Sequence, residues 1–154
     1  MQTSFTEKQL QNQDNKTSET IIRKCVHCGM CNATCPTYGI NGEELEGPRG
    51  RIYLIKDMLE NKKPATKEIA KHIDSCLSCY SCMTTCPSGV NYMHLIDHGR
   101  NYVEETYKRP FLDRVFRNIL SFVLPRPKVF LLMALASKLI KPFSFLFPKF
   151  VRNA

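Results

Sequence analysis

A fifteen-residue pattern occurs twice in this chain, 51 positions apart, and every cysteine lies inside the two copies. The first is Ile22-Arg-Lys-Cys25-Val-His-Cys28-Gly-Met-Cys31-Asn-Ala-Thr-Cys35-Pro36. The second is Ile73-Asp-Ser-Cys76-Leu-Ser-Cys79-Tyr-Ser-Cys82-Met-Thr-Thr-Cys86-Pro87. Eight cysteines in 154 residues are more than cytosolic proteins usually carry and fewer than a small secreted disulfide scaffold needs. Met1 to Thr20 is polar and lacks the apolar run of a secretory signal. Regularly spaced cysteines without an export signal point to metal rather than to disulfides.

The spacing C-x2-C-x2-C-x3-C-P is the bacterial ferredoxin run for a [4Fe–4S] cubane. Three cysteines two residues apart wrap a short loop so that their sulfurs reach three corners of one cube. The fourth, followed by proline, is free to ligate the other cluster. The expectation is therefore crossed ligation, with Cys25, Cys28, Cys31 and Cys86 on cluster one. Cluster two takes Cys76, Cys79, Cys82 and Cys35. A structural zinc site would pair two C-x2-C elements and leave the third cysteine and the proline without a use. Cysteines three apart on a turn also pair poorly as disulfides.

Other residues near the motifs carry weaker signals. His27 and Tyr80 sit inside the loops and read as residues that shield a cluster, since four thiolates complete a cubane. Arg49 and Arg51 read either as solvated helix charges or as partners of cluster charge or of a carboxylate. Thr34 and Thr85 each precede a ligand cysteine. They read equally as hydrogen-bond donors that tune potential and as small residues fitting a crowded turn.

The expected fold is mainly α. Residues 1–18 are rich in Gln, Asn, Thr and Ser without periodicity and read as a disordered leader. Residues 19–110 form the two-loop domain. Between the loops, Gly47-Pro48-Arg49-Gly50 opens a helix, and Ile52, Ile55, Met58 and Leu59 recur at helical spacing up to Asn61. A shorter helix is expected from Ile69, Ile73 and Leu77. A longer one runs from about Asn91 to Lys108, with Leu95, Ile96, Gly99, Tyr102 and Val103 inward. No alternating strand pattern occurs in the first 110 residues.

Residues 111–154 differ in composition. They hold eight of the 22 Lys and Arg but only Asp113 among the acids, so they contribute +7 of the net +8. They also hold eight of the nine Phe, and 26 of these 44 residues are apolar. Leu112, Val115, Phe116, Ile119 and Val123 form one stripe, and Val129 to Ile140 a second helix before Pro142 and Pro148. The longest charge-free run, Val129 to Ser137, falls far short of the roughly 20 residues a membrane span needs. The expectation is an apolar, basic helical segment that docks on protein or peripherally on the inner face of the cell membrane. No basic stripe with stacking aromatics indicates nucleic acid. No G-x-G-x-x-G, Walker loop or nucleophile–base motif indicates a substrate-converting site on this chain. The expected location is the cytoplasm.

The 40 residues between Cys35 and Cys76 resemble the spacer of α-helical ferredoxin domains. More specifically, Cys25 to Tyr38, Glu46-Gly-Pro-Arg-Gly-Arg-Ile-Tyr-Leu-Ile-Lys56, Cys86-Pro-Ser-Gly-Val90, Tyr107-Lys-Arg-Pro110 and Leu124-Pro-Arg-Pro127 resemble the iron–sulfur subunits of glycolate oxidase. The resemblance runs from about Ile21 to Ile140. It implies flavoprotein partner subunits that oxidise glycolate to glyoxylate. Electrons would then pass through two [4Fe–4S] clusters to a quinone-type acceptor. An iron–sulfur component for lactate or glycerol 3-phosphate is the alternative. That family continues into a region with Cys-Cys-Gly motifs, whereas no cysteine follows Cys86 here. The expectation is a counterpart of the N-terminal portion, and 111–154 would begin the missing region.

Overall fold

The computed structural model describes residues 1–140, and their side chains as far as Leu135. All regular elements among the described residues are helices. Two units divide the chain, residues 1–108 and residues from Arg109 onward.

In the first unit, α1 (Glu7–Leu10) and α2 (Gln13–Lys24) precede the first cysteine loop. A 3-10 turn (Met30–Thr34), α3 (Pro36–Asn41) and a second 3-10 turn (Glu44–Glu46) lead to α4 (Pro48–Asn61). The order then runs α5 (Lys67–Asp74), α6 (Ser81–Thr84) and α7 (Tyr92–Thr106). Pro48 occupies the first turn of α4, where its missing N–H leaves no bond unmade. The helix ends at Lys62, in a left-handed conformation. α4 is the hub, burying Ile52, Ile55, Met58 and Leu59 against Leu95, Ile96 and Val103 of α7 and Ile21 and Ile22 of α2. Its first turn lies hard against the Glu44–Glu46 turn: a Cβ on Gly50 would fall 2.2 Å from the Glu44 carbonyl oxygen.

Residues 1–18 are not a disordered leader. Thr6 and Gln9 form a capping box at α1, and the Asn12 side chain accepts from the Asp14 and Asn15 amides at α2. Gln9 is buried, and its carboxamide donates to the Leu59 and Glu60 carbonyls at 2.9 and 2.8 Å, closing the C-terminal end of α4. Ser18, fully buried, bonds His98 Nδ1 of α7 at 2.7 Å. The polar composition suggests disorder, but here the polar groups satisfy helix ends that would otherwise be orphaned.

Two further expectations shift. Leu77 lies beyond the end of α5 and is 66% exposed, so only Ile69 and Ile73 belong to that helix. Tyr102 is half-buried rather than in the core.

The second unit contains α8 (Phe111–Val123) and α9 (Pro127–Ile140). Of α8 only Val123 is buried, while Phe111, Leu112, Phe116, Ile119 and Phe122 are exposed. No single described helix is long and apolar enough to cross a membrane; α8 and the first part of α9 pass that test only as a pair bent by 112°. Pro142, Pro148 and the remainder of 141–154 lie outside the described residues.

Candidate metal centre

The two cysteine loops are built alike. α2 stops at Lys24 and α5 at Asp74, so each loop begins as a helix ends. His27 (φ 60°) and Gly29 (φ 82°) are left-handed, and so, 51 positions on, are Ser78 (φ 51°) and Tyr80 (φ 57°). Three of the four are not glycine, and each such conformation costs about 1–3 kcal/mol, strain held where function needs the shape. The paired left-handed residues curl each loop around its sulfurs. Arginines brace the curls. Arg49 lies over Gly29, where a Cβ would meet its Nη1 at 2.6 Å, and is held by Glu44 at 2.8 Å. Arg100 donates to Ser78 Oγ and the Cys76 carbonyl, both at 2.6 Å.

All eight thiols are free. Each sulfur marks where a metal-bound thiolate would stand. Cys25, Cys28, Cys31, Cys82 and Cys86 line one cavity, together with His27, Val26, Ile52 and Val90. Cys35, Cys76, Cys79 and Cys82 line a second, together with Tyr80 and Arg51. Cys82, Pro48 and Tyr92 line both cavities, so the two are separated by little more than these side chains. Burial pushes the Cys31 thiol up to about 11, with Cys25 and Cys86 adding to it. Burial also raises Cys82 to about 12, with Cys31, Cys76 and Cys35 adding to it. The Ser81 amide and hydroxyl hold the exposed Cys79 below the ordinary thiol range. Cys31 and Cys82 thus resist ionisation where they stand, and a cationic metal core beside them is what removes that penalty.

The spacing of the sulfurs distinguishes among metals. Among the described residues no three thiol sulfurs lie within 4.8 Å of one another. Tetrahedral zinc, at about 2.3 Å from each sulfur, needs sulfurs about 3.8 Å apart. The sulfurs are therefore not gathered around a single ion, and the donor set, thiolates alone in two runs of the ferredoxin spacing, is the chemistry of an iron–sulfur cluster.

Beside the second cavity lies a buried network that the motifs alone do not reveal. Arg51 is 1% exposed. Its Nε donates to the His72 carbonyl at 2.7 Å. Its Nη2 donates to Glu46 at 2.9 Å, Ser75 Oγ at 3.0 Å and Thr37 Oγ1 at 3.1 Å. Glu46, also buried, accepts from Ser75 and pairs with His72 Nδ1 at 2.8 Å. Burial pushes the Glu46 carboxyl up, but the Ser75 and His72 hydrogen bonds and the Arg51 and His72 charges outweigh it, leaving the group below its usual range. Arg51 is therefore a carboxylate partner rather than a solvated charge. Glu46 was legible only as the first residue of a recognised stretch, and His72 carried no signal.

The two threonines do a third thing. Thr85 Oγ1 meets Thr34 Oγ1 at 3.3 Å, and both reach the Ser81 carbonyl, at 3.3 and 3.4 Å. They tie one loop to the other rather than donate to sulfur.

Residues 21–90 match the family model described as 4Fe-4S dicluster domain. The chain is 50% identical over 143 residues, 93% of its length, to the glycolate oxidase iron-sulfur subunit of Escherichia coli K12, covering 35% of that protein. It is 34% identical over 112 residues to a probable glycolate oxidase iron-sulfur subunit of Bacillus subtilis, covering 71% of this chain and 25% of that one. Over 76 residues, 46% of its length, it is 30% identical to the succinate dehydrogenase iron-sulfur subunit of Paracoccus denitrificans, of which it covers 29%. The chain thus spans about a third or less of the curated relatives it matches. No solved structure matches it.

Proposed function

From the match of residues 21–90 to the 4Fe-4S dicluster model and the likeness to glycolate oxidase iron-sulfur subunits, we propose that this chain is an iron–sulfur electron carrier that serves a glycolate-oxidising dehydrogenase. Its place is between flavoprotein subunits that convert glycolate to glyoxylate and a quinone-type acceptor. Cys25, Cys28, Cys31 and Cys86 hold one [4Fe–4S] cluster, and Cys35, Cys76, Cys79 and Cys82 hold the other. When bound, each cluster supplies a one-electron carrier. The protein contributes the rest. Burial of Cys25 and Cys82 keeps water from the inner sulfurs, while exposed Cys28 and Cys79 leave each site an edge toward a partner. The strained loops hold the thiols ready, and Arg100 and Arg49 keep the loops in place.

The observation that carries this reading is the division of eight thiols between two adjacent cavities, with Cys82 and Tyr92 on the wall between them. The substrate comes from the relatives named glycolate oxidase. The likeness to a succinate dehydrogenase subunit keeps a different flavin-linked substrate, such as lactate or glycerol 3-phosphate, as the second reading. Residues 111–154 act as a docking segment, consistent with the exposed apolar side chains of α8, and the complex works on the cytoplasmic side of the membrane.

The deciding experiment is anaerobic purification with an iron and sulfide count, followed by mixing with the flavin subunits. About eight iron and eight sulfide, bleached on adding glycolate, are expected. Stoichiometric zinc without sulfide overturns the cluster assignment. Bleaching by lactate or glycerol 3-phosphate but not glycolate overturns the substrate.

A further inference from the structure

Hydrogen-bond donors reach the two sets of sulfurs unequally. At the second cavity the Tyr92 hydroxyl donates to Cys76 Sγ at 3.7 Å, and Arg51 Nη1 points at Cys35 Sγ from 4.0 Å. Thr37 Oγ1 is also 3.2 Å from Cys35 Sγ, but its single hydrogen goes to the Glu46 carbonyl at 2.7 Å. At the first cavity, among the described residues, the side-chain atom in hydrogen-bond contact with a sulfur is an acceptor, Asn32 Oδ1, 3.8 Å from Cys31 Sγ, while the Arg49 guanidinium that lines the same cavity is paired with Glu44. The Asn32 amide nitrogen is committed to Glu44 at 3.1 Å, which fixes that orientation.

We propose that Tyr92 and Arg51 raise the reduction potential of the cluster held by Cys35, Cys76, Cys79 and Cys82 above that of the cluster held by Cys25, Cys28, Cys31 and Cys86. This rests on the two-cluster reading above. A reduced cluster carries one more negative charge than an oxidised one, and part of it resides on the ligand sulfurs. Donors aimed at those sulfurs stabilise the reduced form, more strongly where the surroundings are dry. Tyr92 is 3% exposed, so its hydroxyl approaches the half-buried Cys76 from the protein side. Arg51 is nearly electroneutral with Glu46, so it acts through an oriented N–H rather than through net charge. Although Tyr92 lines both cavities, it gives its hydrogen to one set only. An electron shared between the sites therefore rests at the second, which makes that face the exit side.

The test is an anaerobic redox titration of the full chain, followed by electron paramagnetic resonance, on wild type, Tyr92→Phe, Arg51→Lys and Cys35→Ser. Iron is counted in every sample. Wild type is expected to reduce in two waves, with Cys35→Ser perturbing the upper. Tyr92→Phe, which removes one hydroxyl and keeps the ring, lowers the upper wave and leaves the lower in place. Arg51→Lys, which keeps the charge and loses the fork, acts in the same direction. The proposal is overturned if Cys35→Ser perturbs the lower wave. It is also overturned if Tyr92→Phe, with iron intact, shifts neither wave or both equally. A wild-type iron count near four overturns the two-cluster reading itself and this inference with it, an outcome visible before any potential is measured.

Discussion

Replacing Arg51 with Met should be among the most damaging single changes outside the cysteines. Both members of the Arg51–Glu46 pair are essentially buried, at 1% and 2% side-chain exposure. Met fills much of the same volume, so the loss is electrostatic. Glu46 keeps Ser75 and His72 but faces Thr37 and the His72 carbonyl without a cation between them. Breaking a buried pair from one side costs about 3–5 kcal/mol, against the 5–15 kcal/mol that holds an ordinary domain together. Neutralising the carboxylate as well, in Arg51→Met with Glu46→Gln, should return a large part of that loss. The contact is then measured as a coupling rather than as two single deletions. Cluster loss makes unfolding irreversible, so the useful readout is the rate of bleaching in urea under anaerobic conditions. The single variant should bleach faster by up to roughly two to three orders of magnitude, since about 1.4 kcal/mol is tenfold. The double variant should fall between it and wild type. If Arg51→Met bleaches within threefold of wild type, or if the double variant is no slower than the single, the buried pair is not what holds Cys35 and Ser75 together.

Cys35→Ala should cost the cluster held by Cys76, Cys79 and Cys82 and spare the other. Resonance spectra showing the reverse loss would reject the crossed ligand sets. Burial, with His94 adding to it, holds His98 below the ordinary imidazole range, and Asp14 opposes that. The unfolded chain therefore binds the proton first. This contribution to stability is complete above about pH 6.5 and declines as pH falls from there toward the lowered value. Melting temperatures between pH 5.5 and 7.5 should show that slope in wild type and a shallower one in His98→Gln; equal slopes would refute it. Removal of residues 111–154 should leave a soluble protein with full iron content, and a truncated chain that loses its clusters would show the tail to be core. With the tail present, flotation with anionic liposomes that salt weakens would assign it to the membrane, and no flotation to a protein surface.

How far the sequence reaches depends on the range of the interaction. The two cysteine loops are local objects. Ligands two residues apart, with left-handed residues between them, can be placed from spacing because the covalent chain sets their reach. The same holds for α4 and α7, where Pro48, Ile52, Ile55, Leu95 and Val103 declare the helices and their inner faces. Cofactor class follows from those loops, since chemistry and spacing suffice to name a sulfur-held metal. In residues 1–18 polarity does not mean solvent exposure. Gln9 and Ser18 are polar because their partners, the last carbonyls of α4 and His98, lie 50 and 80 positions away. Leu77 is the opposite case, since helical spacing persists in the letters after the backbone has turned into the loop. Only the tertiary structure decides which thiols share a cavity, that Arg51 is inside, and that Glu46 and His72 meet it there. These facts depend on which segments fold onto one another. A guanidinium is buried or solvated according to whether a carboxylate and carbonyls from elsewhere in the chain replace its water, and no property of the residue or its neighbours in sequence encodes that.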